Sequence, residues 1–432
     1  MVDRREFLKT AGAAAGALAA TTSPLNAATG VATPLDEALA MRRAPGHSRQ
    51  APDVVVIGAG AFGGWTALYL QRLGARVTLV DQYGPGNSRA SSGDETRGVR
   101  TAYGERETWT WWASEAIRRW IRFDEEYGDP LKMRLFYQTG DLICRTNMES
   151  FLEQTLATWQ KLGIRHEVLD GDEARYRFPQ MNLHDTQVAL YEHDAGVVRA
   201  RRACEAVAEV FRQEGGTIVQ AKATMPSSVA GRLARLPLEP GDDIAGDSYV
   251  FACGPWLWKV FPELLGNRMR TSMGHVYYFG TPTGDHRYTF PNMPSWNFPG
   301  VTGWPALGPD NRGFRIRTGG RGHSDPDTVE RWIDPEQFER PRDLIAQRFP
   351  GLVGMPLLET RACHYESSSS RNFIIDRVPG TPNVWIAGAG NAEGFKMGPV
   401  VGEYVANRVM ERPTAAVLDE QFRIPEAEYD PL

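Results

Sequence analysis

Four apolar, β-branched residues, Val54-Val55-Val56-Ile57, run directly into Gly58-Ala59-Gly60-Ala61-Phe62-Gly63, and this junction constrains the chain more than any other stretch. An unbroken apolar run predicts a parallel strand buried on both faces. Glycines at that spacing allow a tight turn and bring backbone N–H groups against a pyrophosphate at a helix N-terminus. Residues 65–73 have helical apolar spacing, and Val77-Thr78-Leu79-Val80-Asp81 reads as a second strand. Asp81 follows Gly58 by 23 residues, a separation at which a carboxylate reaches the ribose hydroxyls of a bound dinucleotide, with Gln82 beside it.

The strand-to-glycine layout recurs twice. Ser248-Tyr249-Val250-Phe251-Ala252-Cys253 ends in Gly254-Pro255-Trp256, and Asn383-Val384-Trp385-Ile386-Ala387-Gly388 ends in Ala389-Gly390, followed by Glu393-Gly394-Phe395-Lys396 and a helix over 401–410. Gly254, Trp256, Gly390 and Gly394 are expected near the same nucleotide, and Lys396 is placed to hold an anion. The polar stretch 88–105 reads as a loop at the carboxyl edge of the sheet. It offers Ser91 and Thr96 to the cofactor, and in Arg97 and Arg100 two guanidinium forks suited to anions. An aromatic helix over 109–127 is expected to pack on the sheet. The runs Val276-Tyr277-Tyr278-Phe279 and Gly313-Phe314-Arg315-Ile316-Arg317 predict an antiparallel sheet roofing a substrate pocket, with most of the nearby rings in its core. The fold class expected is α/β: a Rossmann-like nucleotide-binding domain interleaved with a substrate domain on a mostly antiparallel sheet.

Ahead of the fold, Arg4-Arg5-Glu6-Phe7-Leu8-Lys9, an Ala-rich run and Ser23-Pro24 have the layout of a twin-arginine export signal. The signal is expected to cover 1–28, with a linker over 29–51. Its apolar run is too short to span a bilayer, so no stable membrane insertion is expected. The expected partner is the twin-arginine translocation machinery, and the expected destination of the folded protein is the periplasm or the exterior. The remainder, about 380 residues, exceeds one compact core. A net charge of −5 with both signs dispersed excludes a nucleic-acid binder. Cys144, Cys204, Cys253 and Cys363 do not form a disulfide framework, and no Cys/His cluster has metal-ligand spacing.

The order of these motifs, over about 53–412, resembles the D-amino-acid oxidase superfamily of FAD-dependent oxidoreductases. Within it the chain is most similar to the monomeric sarcosine oxidase and N-methyltryptophan oxidase family. The resemblance implies an FAD-binding domain over 52–134, 187–265 and 363–412, a substrate domain over 135–186 and 266–362, and a tail over 413–432. It places Arg97 beside the flavin ring and Arg100 and Lys396 on a substrate carboxylate. It makes Cys363 the residue that links covalently to the flavin, and Tyr365 a pocket tyrosine. Three positions depart from the family pattern. Arg315 replaces the oxygen-activating lysine, Gly93 replaces a histidine of the loop, and Glu393 replaces the histidine of the final turn. The activity implied is hydride transfer from a secondary amine or N-methyl amino acid to the flavin, imine hydrolysis, and electron release to oxygen as peroxide. A dehydrogenase with another electron acceptor, motivated by Arg315, and a non-catalytic flavin-binding subunit are the alternatives.

Overall fold

The structure is a computed structural model that describes residues 51–226, 231–308, 312–320 and 322–430. The expected export signal, and the linker up to residue 50, lie outside the described residues. The apolar run at the head of the nucleotide motif forms Asp53–Ile57, near the middle of a six-stranded sheet. Its neighbours are Arg76–Asp81 and Ser248–Phe251, with Thr217–Gln220 and Val384–Gly388 outside them, all parallel. Ile374–Arg377 closes one edge antiparallel. Both faces are covered, as an unbroken apolar strand requires. Helix Ala61–Arg72 packs with Gly398–Val409 and Ala200–Gln213 on one side. On the other, Val55, Ile57, Tyr249 and Phe251 meet Leu236, Phe261 and Leu265. The glycine turns after Ile57, Phe251 and Gly388 therefore converge at the carboxyl ends of adjacent strands, where open α/β sheets bind ligands.

The second sheet has eight strands in the order Leu357–Ser368, Met269–Phe279, Phe314–Thr318, Val301–Trp304, Ser295–Phe298, Asp141–Arg145, Val188–Glu192 and His166–Asp170. Only the Ser295–Phe298 and Asp141–Arg145 contact is parallel. Trp296, Phe298, Phe314 and Phe349 pack against one another in its core. Each such buried ring contributes about 2–3 kcal/mol. Arg97–Val99, Gly196–Val198 and Phe136–Tyr137 make a small third sheet.

Two features differ from expectation. The aromatic helix, Glu107–Phe123 with a π turn over Asp124–Gly128, forms a second layer on helices instead of lying on the sheet. Its Trp120 meets Trp65 edge-on at 5.3 Å and stacks on Phe395 at 5.7 Å. Sheet membership also crosses the segment limits that the family resemblance implies. Phe136–Tyr137 pairs in the small sheet, Val188–Glu192 belongs to the eight-stranded sheet, and Cys363 lies inside the unbroken strand Leu357–Ser368. A strand paired along its whole length cannot be divided, and local sequence does not show the pairing.

Candidate active site

A cavity of about 490 Å³ runs from the glycine turns to the roof of the second sheet. Gly58, Gly60, Asp81, Gln82, Ser91, Gly254, Trp256, Gly390 and Gly394 line it, as do Arg97, Arg100, Arg315, Cys363, Tyr365 and Lys396. At the first turn the geometry demands glycine. Gly58 has φ +104°, and a Cβ there would stand 2.3 Å from the Ala252 carbonyl oxygen. A Cβ on Gly63, which lies beneath the turn and not on the cavity wall, would stand 1.8 Å from the Gly58 oxygen. No side chain caps the helix at Gly60, although Ser92 Oγ accepts the Ala61 N–H at 3.1 Å. A backbone cradle at the positive end of a helix fits the pyrophosphate of a dinucleotide.

Asp81 reaches the cavity, but its oxygens already accept the backbone N–H groups of Ala59 (2.7 Å), Tyr83 (2.8 Å) and Gly84 (2.8 Å). The carboxylate thus fixes the turn, and its remaining lone pairs are what a ribose would meet. Thr96 departs from expectation. It is buried off the cavity, and its Oγ1 accepts the Trp304 indole N–H at 3.0 Å and pairs with Tyr278 Oη at 3.1 Å. Its part is to orient Trp304.

The far end is built from side chains. Asp94 is buried between Arg97 and Arg315, with the Arg315 Nη2 at 2.9 Å. It also accepts the Tyr278 hydroxyl at 3.2 Å and the Glu95 N–H at 2.8 Å. Burial works against its charge, but the two guanidinium groups outweigh that and hold the carboxyl well below the usual range. Arg97 donates to the Ser91 carbonyl at 2.7 Å and to Cys363 Sγ at 2.7 Å. Although burial opposes its charge, Cys363 and Asp94 raise it above an ordinary arginine. Arg315 is 1% exposed and lies 3.8 Å over the Trp304 ring, with Nε and Nη1 lacking hydrogen-bond partners. Asp94 and Trp304 are members of this cluster that sequence reasoning missed as site residues; apart from the local Asp94–Arg97 pair, their partners come from distant parts of the chain.

Lys396 is 5% exposed and is not a free cation. It donates to Tyr103 Oη at 2.8 Å and pairs with Glu393, whose Oε2 also accepts the Tyr103 hydroxyl at 2.9 Å. Burial lowers Lys396 from its usual range, with Arg100 adding to the effect and Glu393 opposing it. Among the described residues Arg100 has neither a hydrogen-bond acceptor nor an ion-pair partner for its guanidinium. Asp141 and Glu393 nonetheless raise it against the effect of burial. Behind it, Asp141 and Glu192 face each other in register across two strands. Asp141 is 1% and Glu192 0% exposed, and three of their four carboxyl oxygens have no partner. Burial pushes Glu192 up to about 8, with Asp141 contributing.

A family model described as FAD dependent oxidoreductase (DAO) matches residues 53–408. The chain is 27% identical over 362 residues to a monomeric sarcosine oxidase of Bacillus sp. (strain NS-129), covering 82% of this chain and 92% of that protein. It is 25% identical over 370 residues to an N-methyl-L-tryptophan oxidase of Salmonella arizonae, covering 83% and 95%. Its fold is similar to that of L-proline dehydrogenase from P. horikoshii, with TM-score 0.72 at 19% identity over 84% of this chain and 94% of that one. Glycine oxidase from Bacillus cereus matches with TM-score 0.72 at 18% identity over 87% and 100%.

Proposed function

The chain belongs to the DAO family of FAD-dependent oxidoreductases, and on that premise we propose that it oxidises the CH–NH group of a secondary amine or N-methyl amino acid. The observation that carries this reading is a single cavity joining the glycine cradle at Gly58 to an unpaired Arg100 and the Arg97–Cys363 contact. Gly58, Gly60, Asp81, Ser91, Arg97, Gly254, Trp256, Cys363 and Gly390 would hold the cofactor, which when bound supplies a two-electron hydride acceptor.

Arg100 receives the substrate carboxylate and so orients the reacting C–H. Lys396 does not share that task equally, because Glu393 and Tyr103 already engage its ammonium. Arg97 keeps a permanent positive charge at the cofactor end, where negative charge develops. Arg315, fixed by Asp94 and Trp304, adds a second. No side chain need remove a proton if the amine enters neutral.

Cys363 is the proposed point of covalent attachment, supported by its position on the cavity wall at Arg97. Acid precipitation of the yellow protein should leave the flavin in the pellet, and a colourless pellet excludes the link. Reduction of the bound flavin by a panel of N-methyl and primary amino acids under anaerobic conditions tests the activity itself. If none bleaches it, the non-catalytic alternative holds.

The immobilised Arg315 favours a second reading for the electron acceptor. A guanidinium held against an indole is bulkier and less mobile than an ammonium on a flexible stem, which suits a dehydrogenase that reacts slowly with oxygen. Stoichiometric peroxide release in air would establish the oxidase instead. Export by the twin-arginine route is proposed from residues 4–24, and cell fractionation of a lysine-pair variant at Arg4 and Arg5 tests it.

A further inference from the structure

The cavity holds one more cation than an amine bearing a single carboxylate can use. Arg317 lies two residues beyond Arg315 on Phe314–Thr318 and therefore on the same face of the strand. Val276 and Thr302 flank it in register on the neighbouring strands, and all three line the cavity. Of the other cations at this end, Arg97 and Arg315 share Asp94 and Lys396 has Glu393, which leaves Arg100 as the one that takes the first carboxylate. Among the described residues the Arg317 guanidinium has no hydrogen-bond acceptor and no carboxylate within ion-pair distance. That guanidinium lies over the Tyr365 ring, 5.5 Å from the centroid. Burial, and then the charges of Arg315 and Arg97, lower it from the ordinary arginine value, so its own surroundings disfavour its charge. A partly buried cation pressed by two others is relieved by an anion that enters with the ligand.

Resting on the amine-oxidising reading above, we propose that the preferred substrate is an N-alkyl amino dicarboxylic acid. Arg100 receives the carboxylate next to the reacting carbon, and Arg317 receives the second one. Tyr365 supports the guanidinium from its side, and the cross-strand row Val276–Arg317–Thr302 fixes the strand that carries it. Arg317 is thus a specificity-determining residue, separate from the groups that hold the cofactor. A bidentate arginine–carboxylate pair in a partly dry site is worth about tenfold to a hundredfold in affinity.

The test uses the flavin-loaded protein and two matched pairs of probes. Succinate and propionate are titrated by the flavin difference spectrum, and N-methylaspartate and N-methylalanine are compared as anaerobic reductants. The native protein should bind succinate at least about tenfold more tightly than propionate and show the same preference between the two N-methyl amino acids. Arg317→Gln should remove most of that ratio, and Arg317→Lys should restore part of it. Equal affinity for succinate and propionate in the native protein overturns the proposal without any variant. So does an Arg317→Gln protein that loses the same factor for both ligands, or that changes only the flavin spectrum, since either places Arg317 on the cofactor or in the scaffold. If succinate is preferred through Arg317 but no amine bleaches the flavin, the anion subsite stands and the amine-oxidising reading fails.

Discussion

The two ends of the cavity are made from different materials. At the nucleotide end the contacts are backbone: a turn that tolerates only glycine, a helix start at Gly60 with no side-chain cap, and Asp81 bound to three N–H groups. At the other end they are side chains brought from far apart in the chain, such as Arg97 with Cys363 and Tyr103 with Glu393. A backbone site depends on local conformation and is sensitive to the addition of one methyl group. A side-chain site depends on charge balance, so it can be retuned one residue at a time while the fold persists.

Substitutions at each end should separate the two. The largest effect is expected from Gly58→Ala, which forces a Cβ onto the Ala252 oxygen at positive φ. It should cost about 3 kcal/mol or more and weaken flavin binding at least about a hundredfold, read as flavin per protein after purification. Next is Asp94→Asn, which leaves Arg97 and Arg315 buried without their shared carboxylate. Stability measured by denaturant should fall by about 3 kcal/mol while the glycine cradle still retains flavin.

Glu393→Gln should act through Lys396. Without the carboxylate that opposes the effect of burial, the ammonium titrates lower still. Binding of a carboxylate ligand should then weaken with rising pH by up to about tenfold per unit above the lysine's new value, where the native protein stays nearly level. A flat profile in the variant would show that Lys396 does not meet the ligand.

A fourth effect is spread over several pH units and concerns Glu192. Its usual value of 4.5 is raised to about 8, with Asp141 opposite and Arg100 close by, so the folded chain binds a proton that the unfolded chain has released. Stability should therefore fall as pH rises from 4.5 to 8, by at most about 1.4 kcal/mol per unit. Glu192→Gln should flatten that slope, and an unchanged slope would assign it to other groups.

The same division explains what could be read in advance. The strand, the glycine turn and Asp81 are one local segment, so their arrangement follows from period and turn chemistry. That Met269–Phe279 and Phe314–Thr318 belong to an antiparallel sheet was legible from their β-rich, alternating residues, whereas their pairing with each other was not. The Lys396–Glu393 pair is local, but the Tyr103 hydroxyl that bonds to both was not legible, because Tyr103 lies 293 residues from Lys396 in sequence. Thr96 looked like a cofactor contact in its loop and proved to be a support for Trp304 across 208 residues. The alternation Arg315-Ile316-Arg317 did signal that both arginines share a face. That one has an acid beside it and the other has none depends on which strands lie next to them.

One feature of the six-stranded sheet bears on how the protein is made. Val384–Gly388 lies inside that sheet, beside Ser248–Phe251, yet Val384 follows Asp53 by 331 residues (384 minus 53). At ribosomal rates of about 5–20 residues per second, the glycine cradle is complete many seconds before the strand and the Gly390 to Lys396 turn that close the cavity around it. The cavity cannot close on a growing chain. Cofactor capture is accordingly a late event, set by the flavin available when those last strands emerge, and an expression host short of flavin at that moment should accumulate an open, protease-sensitive form.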